Sequence, residues 1–336
     1  MDVPAALARS RALVEPALVI AVEELADVLL PAIRYHFGWA DPEGAPAEVD
    51  TGKRLRPALA VLSAEAVGAE VSVALPGALA VELVHNFSLV HDDVVDGDTE
   101  RRHRLTVWAA FGTDEALIAG DALHTLAFQI LLAEADPPRV TAARRLVSAT
   151  MAMIAGQAAD MALDDQSVVT LEDCLAMEAA KTGALLGYAS SVGAVLADAD
   201  PVTVDALDSY GRQLGLAYQA VDDVLGIWGE PEVTGKPAGN DLRQRKKSMP
   251  VAVVLSAGGT AAADLDAVYG RRGALDDDEV ARAAAIIESA GGREATLAEA
   301  GRRLEAALVS LEGVELDSRA LRELEEVARF VVERDA

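Results

Sequence analysis

Cysteine is all but absent from this chain. Its 336 residues include one, Cys174, which rules out an internal disulfide framework, and neither a CxxC nor an HExxH spacing marks a zinc site. A reducing, cytoplasmic setting is expected. Aromatic residues make up only 4%, and alternation of β-branched and aromatic residues is hard to find, so little points to sheet. Basic residues are scarce: 29 against 55 acidic ones, a net charge of -26. That balance argues against nucleic acid or an anionic membrane surface as a general partner. It does not argue against small anions, which a few locally gathered Lys and Arg residues can still bind. No run approaches the roughly 18 uninterrupted apolar residues of a membrane span. The beginning of the chain carries Asp2 and Glu15 and lacks a basic region followed by a clean apolar stretch, so it does not read as a signal peptide.

What is present is helix-forming. Half of the chain, 51%, is hydrophobic, and alanine, leucine, valine and glutamate dominate. An all-α fold is predicted, as a single domain over 1–336, because no composition shift, linker or solenoid repeat divides the chain. A helix is expected from about 4 to 35 and a loop over 37–52. The motif-bearing core spans about 52–250 and further helices span 275–334. Leu83, Phe87, Val90 and Val94 fall on one helical face, which places the aspartates after them near a helix C-terminal end. Leu297, Leu304, Leu308 and Leu311 repeat the helical period without evident chemistry. The stretch GEPEVTGKPAGND, 229–241, has too much Gly and Pro for a helix interior.

Two acidic clusters stand out. In DDVVD, Asp92 and Asp96 lie one turn apart on the same face, with Asp93 beside them. Stacked like charges weaken a helix unless a cation neutralises them, and oxygen-only ligands suit Mg²⁺ shared with a phosphate; a solvated acidic helix end is the alternative. The second pair, Asp222 and Asp223 in YQAVDDVLG, follows a largely apolar helix, where carboxylates are costly unless paired or metal-bound. Its i+4 position is Gly226, so this half is chemically thinner. Basic residues gather around both: Lys53, Arg54 and Arg56, then Arg101, Arg102 and Arg104, then Lys236, Arg243, Arg245, Lys246 and Lys247. Each run could be a solvated face; arranged around two aspartate pairs, they suit phosphate oxygens.

In order, GKRLRP, ELVHNFSLVHDDVVD with His85, the Arg101–Arg102 pair, GDALHTLAF, GQAAD, KTG, YQAVDD and GKPAGNDLRQRKKSMP resemble the trans-prenyltransferase (polyprenyl synthetase) family. The resemblance runs from Gly52 to about Pro250. It implies antiparallel helices around a central cavity, a homodimer, and two aspartate motifs facing each other across the cavity mouth. By position it implies that Asp92 and Asp96 ligate two Mg²⁺ ions and Asp222 a third, with Asp93 and Asp223 in the outer shell. Arg101, Lys181 and Lys236 would bind an allylic diphosphate (dimethylallyl, geranyl or farnesyl). Lys53, Arg56, His85 and Arg102 would bind isopentenyl diphosphate, with Arg54 less clearly placed. Thr182 and Gln219 would sit near the developing allylic cation, and Lys246 would close over the site. Gln157 and Asp160 are left outside the site, and His36, His91, His103 and His124 are taken as packing residues.

The implied reaction is loss of the allylic diphosphate, attack of the isopentenyl double bond on the cation, and loss of a proton. Phe87 lies five positions before Asp92, so it sits roughly 7 to 8 Å deeper along the helix. With the small Ser88 beside it, this pattern resembles archaeal geranylgeranyl synthases and implies a C20 product, with C15 as the competitor. Two rivals are a class I terpene cyclase, which needs no second diphosphate pocket, and a non-catalytic subunit of a heteromeric synthase, which Gly226 would favour.

Overall fold

The computed structural model describes residues 3–49, 52, 54–164, 166, 169–230, 238–270 and 275–333. Lys53 and Lys236 lie outside these. Helices α1 (Ala5–Glu23) and α2 (Leu30–His36) replace the single helix expected over 4–35. Pro31 lies in the first turn of α2, where its missing amide hydrogen costs nothing, and the chain turns through 24–29, whereas Pro16 is accommodated inside α1. Helices α3 (Leu55–Ala66) and α4 (Val71–Asp96) follow, then a small antiparallel hairpin of β1 (Glu100–Arg101) and β2 (Arg104–Leu105). Next come α5 (Val107–Phe111), α6 (Thr113–Leu131), α7 (Pro137–Asp164) and α8 (Leu171–Glu178). A π-helical turn, Ala179–Gly183, leads into α9 (Ala184–Leu196) and then α10 (Pro201–Trp228). The remainder is α11 (Asn240–Arg243), α12 (Met249–Ala257), α13 (Gly259–Tyr269), α14 (Asp277–Ser289), α15 (Gly292–Ser310) and α16 (Ser318–Glu333). The all-α prediction holds. Of the irregular stretch expected over 229–241, residues 231–237 lie outside the described residues, and its last two, Asn240 and Asp241, belong to α11.

Helix α9 is the axis of the core. It is apolar and buried on all sides, and α3, α4, α7 and α10 pack around it. Such close approach needs missing side chains: a Cβ on Gly193 would lie 2.2 Å from the Ala60 carbonyl oxygen of α3. Helix ends are fixed by local chemistry. Asp200 accepts the Val202 and Thr203 amides at the start of α10, and Thr170 with Asp173 forms a capping box on α8. The Tyr210 hydroxyl of α10 donates to the Leu324 carbonyl of α16 at 2.8 Å, and α15 packs along α10 with Leu304 and Leu308 against the core and Leu311 buried. The C-terminal helices thus brace the helix that carries the second aspartate pair.

Two helices, α4 and 137–163 of α7, are long and apolar enough to cross a membrane by length and composition alone. Of the tested window in α4, 61% is buried within the protein, as for a core helix.

Candidate active site

The first motif ends α4. Gly97, at φ 69°, terminates the helix immediately after Asp96, so all three aspartates lie in its last turns. Carboxylates are unfavourable at this negative end of the helix dipole, which raises the demand for a cation. Burial pushes the Asp92 carboxyl up to about 6, Lys181 opposes the shift and Asp96 adds to it. Asp93 is buried and turned elsewhere: its Oδ1 accepts from Arg101 Nε at 2.8 Å and Nη2 at 2.7 Å. Arg101 is thereby held at the motif's side.

The second motif lies two turns before the end of α10. Asp223 is buried and accepts Gln219 Nε2 at 2.9 Å and the Met249 amide at 2.7 Å, while Gln219 Oε1 accepts Thr182 Oγ1 at 3.0 Å. This chain of bonds joins the π-helical turn, α10 and the start of α12, and it brings Thr182, Gln219 and Asp223 together. Burial pushes Asp223 up to about 6, and the Met249 and Gln219 hydrogen bonds oppose it. Behind it, ligand atoms of Cys174, Glu178 and Asp223 come within 4.8 Å of one another. Burial pushes the Glu178 carboxyl well up and the Cys174 thiol up. The Cys174 thiol donates to Glu178 Oε1 at 3.2 Å. The trio is a hydrogen-bonded support behind Asp223.

Arg56 at the start of α3, His85 on α4 and Arg102 in the hairpin turn share one neighbourhood. Burial, with Arg56 and then Arg102 nearby, holds His85 well below its usual range, so it is a neutral ring among cations. Arg102 and His103 adopt left-handed conformations, φ 52° and 60°, which turn the hairpin. At Gly52, φ 121°, a Cβ would stand 2.8 Å from Arg102 Nη2; a side chain there is excluded by the guanidinium as well as by the backbone. Arg54 is different. Its buried side chain pairs with Glu82, and with Glu15 at 3.4 Å, which ties it to two carboxylates inside the fold.

Lys181 Nζ meets Asp160 Oδ2 at 2.5 Å, and Lys246 Nζ lies 3.8 Å from Asp96 Oδ2. Beside this contact Gln244 Nε2 donates to Asp98 Oδ1 at 3.0 Å. The segment after the second motif therefore reaches the end of the first. Asp160, left aside in the sequence reading, is the carboxylate that holds Lys181. Gln157, one turn away on α7, has both amide atoms buried with no protein partner among the described residues. The Q-x-x-D spacing, which puts both on one helix face, was the available signal.

Below the first motif, the Phe87 ring meets His91 and His124 with centroids 4.8 Å and 4.9 Å away, and His124 meets Phe128 at 5.2 Å. Ser88 donates back to the His85 carbonyl at 2.9 Å. His36 is a packing residue as expected: its Nε2 bonds Asn86 Oδ1 at 2.9 Å, and burial lowers its pKa to about 3.

The donor set fits magnesium. Asp92, Asp96 and Asp222 are oxygen donors, and desolvation of Asp92 is relieved by a bound cation. An all-helical scaffold with two carboxylate pairs and gathered arginines defines an enzyme that handles diphosphates. The chain belongs to the polyprenyl synthetase family, whose model matches residues 47–287. It is 46% identical over 328 residues to (2E,6E)-farnesyl diphosphate synthase of Mycobacterium bovis, covering 96% of this chain and 91% of that one. It is 44% identical over 308 residues to geranylgeranyl diphosphate synthase of Mycobacterium tuberculosis, covering 91% and 88%. The crystal structure of a polyprenyl synthetase from Streptomyces coelicolor A3(2) is 50% identical, with a TM-score of 0.94 over 98% of this chain and 100% of that one. This chain is accordingly a magnesium-dependent short-chain prenyltransferase using isopentenyl and allylic diphosphates.

Proposed function

We propose that the chain elongates allylic diphosphates with isopentenyl diphosphate as far as all-trans geranylgeranyl diphosphate, C20. The observation that carries this reading is the floor at Phe87, five residues below Asp92, with the small Ser88 leaving room on one side. Relatives of similar identity carry farnesyl and geranylgeranyl names, so the floor is the discriminating feature. A C15 product is the second reading, favoured by His124, which braces the Phe87 ring against swinging aside.

Three magnesium ions held by Asp92, Asp96 and Asp222 would neutralise the departing diphosphate. Arg101, Lys181 and Lys246 add positive charge where negative charge develops, and Lys236 would join them. Arg56, His85 and Arg102, with Lys53, orient isopentenyl diphosphate, His85 donating as a neutral ring. Thr182 and Gln219 present oxygens that stabilise the allylic cation, and the apolar walls keep water from it. The released diphosphate takes the final proton.

A homodimer is supported by exposed Val147, Met151 and Ile154 along one face of α7 and exposed Leu117 and Ile118 on α6. A cytoplasmic setting is supported by the single, free and buried cysteine. The decisive assay supplies purified protein with Mg²⁺, isopentenyl diphosphate and each primer in turn and reads product length by chromatography. C20 is expected from wild type and longer chains from Phe87→Ala. A C15 end point refutes the C20 reading, and an unchanged length in Phe87→Ala removes Phe87 as the floor.

A further inference from the structure

The pocket around Arg56, His85 and Arg102 rests on a buried carboxylate. Glu82 of α4 is 3% exposed, and it pairs with Arg54, itself buried, which is the residue just before α3 begins. A buried charge is costly without a partner, and these two supply one for each other. The Arg54 guanidinium also reaches Glu15 of α1 at 3.4 Å and lies 5.6 Å from the centre of the Phe37 ring. Glu82 Oε1 accepts Asn86 Nδ2 at 3.0 Å, and Asn86 Oδ1 bonds His36 Nε2 of α2 at 2.9 Å. The ion pair thus ties α1, α2 and α4 to the start of α3.

Its position suits a task beyond stability. Arg54 is left-handed, φ 51° and ψ 42°, a conformation that is unfavourable for a residue with a Cβ and persists only where the surroundings hold it. That turn starts α3, and Arg56 follows as the second residue of the helix. On α4, His85 lies in the single turn bounded by Glu82 and Asn86. The Glu82 charge is felt at Arg56 and Arg102 as well as at Arg54, while its direct ion pair among the described residues is with Arg54. An apolar pair of the same volume would hold these helices together at least as well. What the ion pair adds is one fixed direction for a planar guanidinium.

We propose that Glu82 is a positioning residue for the isopentenyl diphosphate pocket and acts through Arg54: their ion pair fixes the left-handed turn that sets Arg56 beside His85 and Arg102. The inference rests on reading Arg56, His85 and Arg102 as the residues that hold isopentenyl diphosphate. Arg54 then aids binding without touching the substrate, because the cationic residues are held in place before a diphosphate arrives.

The test is steady-state kinetics on the full-length protein with Mg²⁺, reading KM for isopentenyl diphosphate and KM for the allylic primer separately. Arg54→Met/Glu82→Leu replaces the ion pair by apolar side chains of similar size, and circular dichroism melts are expected to place its Tm near that of wild type. KM for isopentenyl diphosphate is expected to rise about tenfold in this double variant, with KM for the primer within about twofold. Arg54→Lys, which keeps the charge and loses the fork, is expected to raise KM for isopentenyl diphosphate about threefold. A double variant that is folded and keeps this KM within about twofold of wild type overturns the inference, because the pair then only supports the fold. An equal rise in both KM values overturns it too. If the double variant is not folded, Arg54→Lys decides alone, and an unchanged KM for isopentenyl diphosphate in it is the overturning result. A C15 end point refutes the proposed function and leaves both KM values readable.

Discussion

The two aspartate motifs do the same kind of work by different constructions. The first is local: Asp92, Asp93 and Asp96 come from one helix end, with Gly97 closing it and Arg101 taking Asp93 aside. The second is assembled: Asp222 and Asp223 come from α10, Gln219 and the Met249 amide orient Asp223, Glu178 and Cys174 back it, and Asp241 of α11 lies against Gly226. A motif drawn from one helix depends on that helix alone. A motif assembled from four elements depends on how they pack.

The sharpest way to break this comparison is to neutralise one carboxylate in each half. Asp92→Asn removes a proposed cation ligand and should lower kcat/KM by about 10³-fold. Asp223→Asn removes an orienting group and should cost about 10- to 100-fold. Equal losses in steady-state kinetics would mean that the two halves are built alike.

Acidity separates ligand from scaffold next. The Asp92 carboxyl is raised from its ordinary 3.8 to about 6 by burial, so the folded protein without Mg²⁺ holds that proton more tightly than the unfolded chain. That contribution to stability is fully present below 3.8 and is lost as pH rises through about 6. Mg²⁺ needs the ionised form, so the rise in Tm on adding Mg²⁺ should grow from pH 5 to pH 7.5 or so. Thermal melts in which the Mg²⁺ increment is flat across that range would contradict the burial of Asp92.

The smallest expected effect is purely structural. His36, bonded to Asn86 on the helix of the first motif, has its pKa lowered from 6.5 to about 3 by burial. Its contribution is fully present above 6.5 and is lost as pH falls toward 3. His36→Gln should flatten the acid side of the stability profile by about one proton while leaving the Mg²⁺ requirement unchanged. Denaturant unfolding at several pH values reads both the slope and its loss.

Much of the site was legible because its residues sit in short, ordered motifs on helices. Leu83, Phe87, Val90 and Val94 fixed the face of α4, and with it the place of Asp92 and Asp96, because helical periodicity is local. Arg54 and Arg56 could not be separated in this way. They are two residues apart, and what marks Arg54 is its direct ion pair with Glu82, 28 residues away on another helix. The same holds for Asp160, whose part in the site depends on Lys181, 21 residues on. The break between α1 and α2 was hidden by apolar periodicity that continues across it, although Pro31 was in plain view.

The sequence by itself determined the helical class, the family resemblance, both aspartate pairs and the depth of Phe87 below Asp92. Each of these depends on residue type and on spacing within one helix. Only the tertiary structure decided that Arg54 serves Glu82, that Asp160 serves Lys181, and that Asp241 fills the space at Gly226. These are contacts between elements distant in the chain, set by how buried helices pack, and no period within a single helix encodes them.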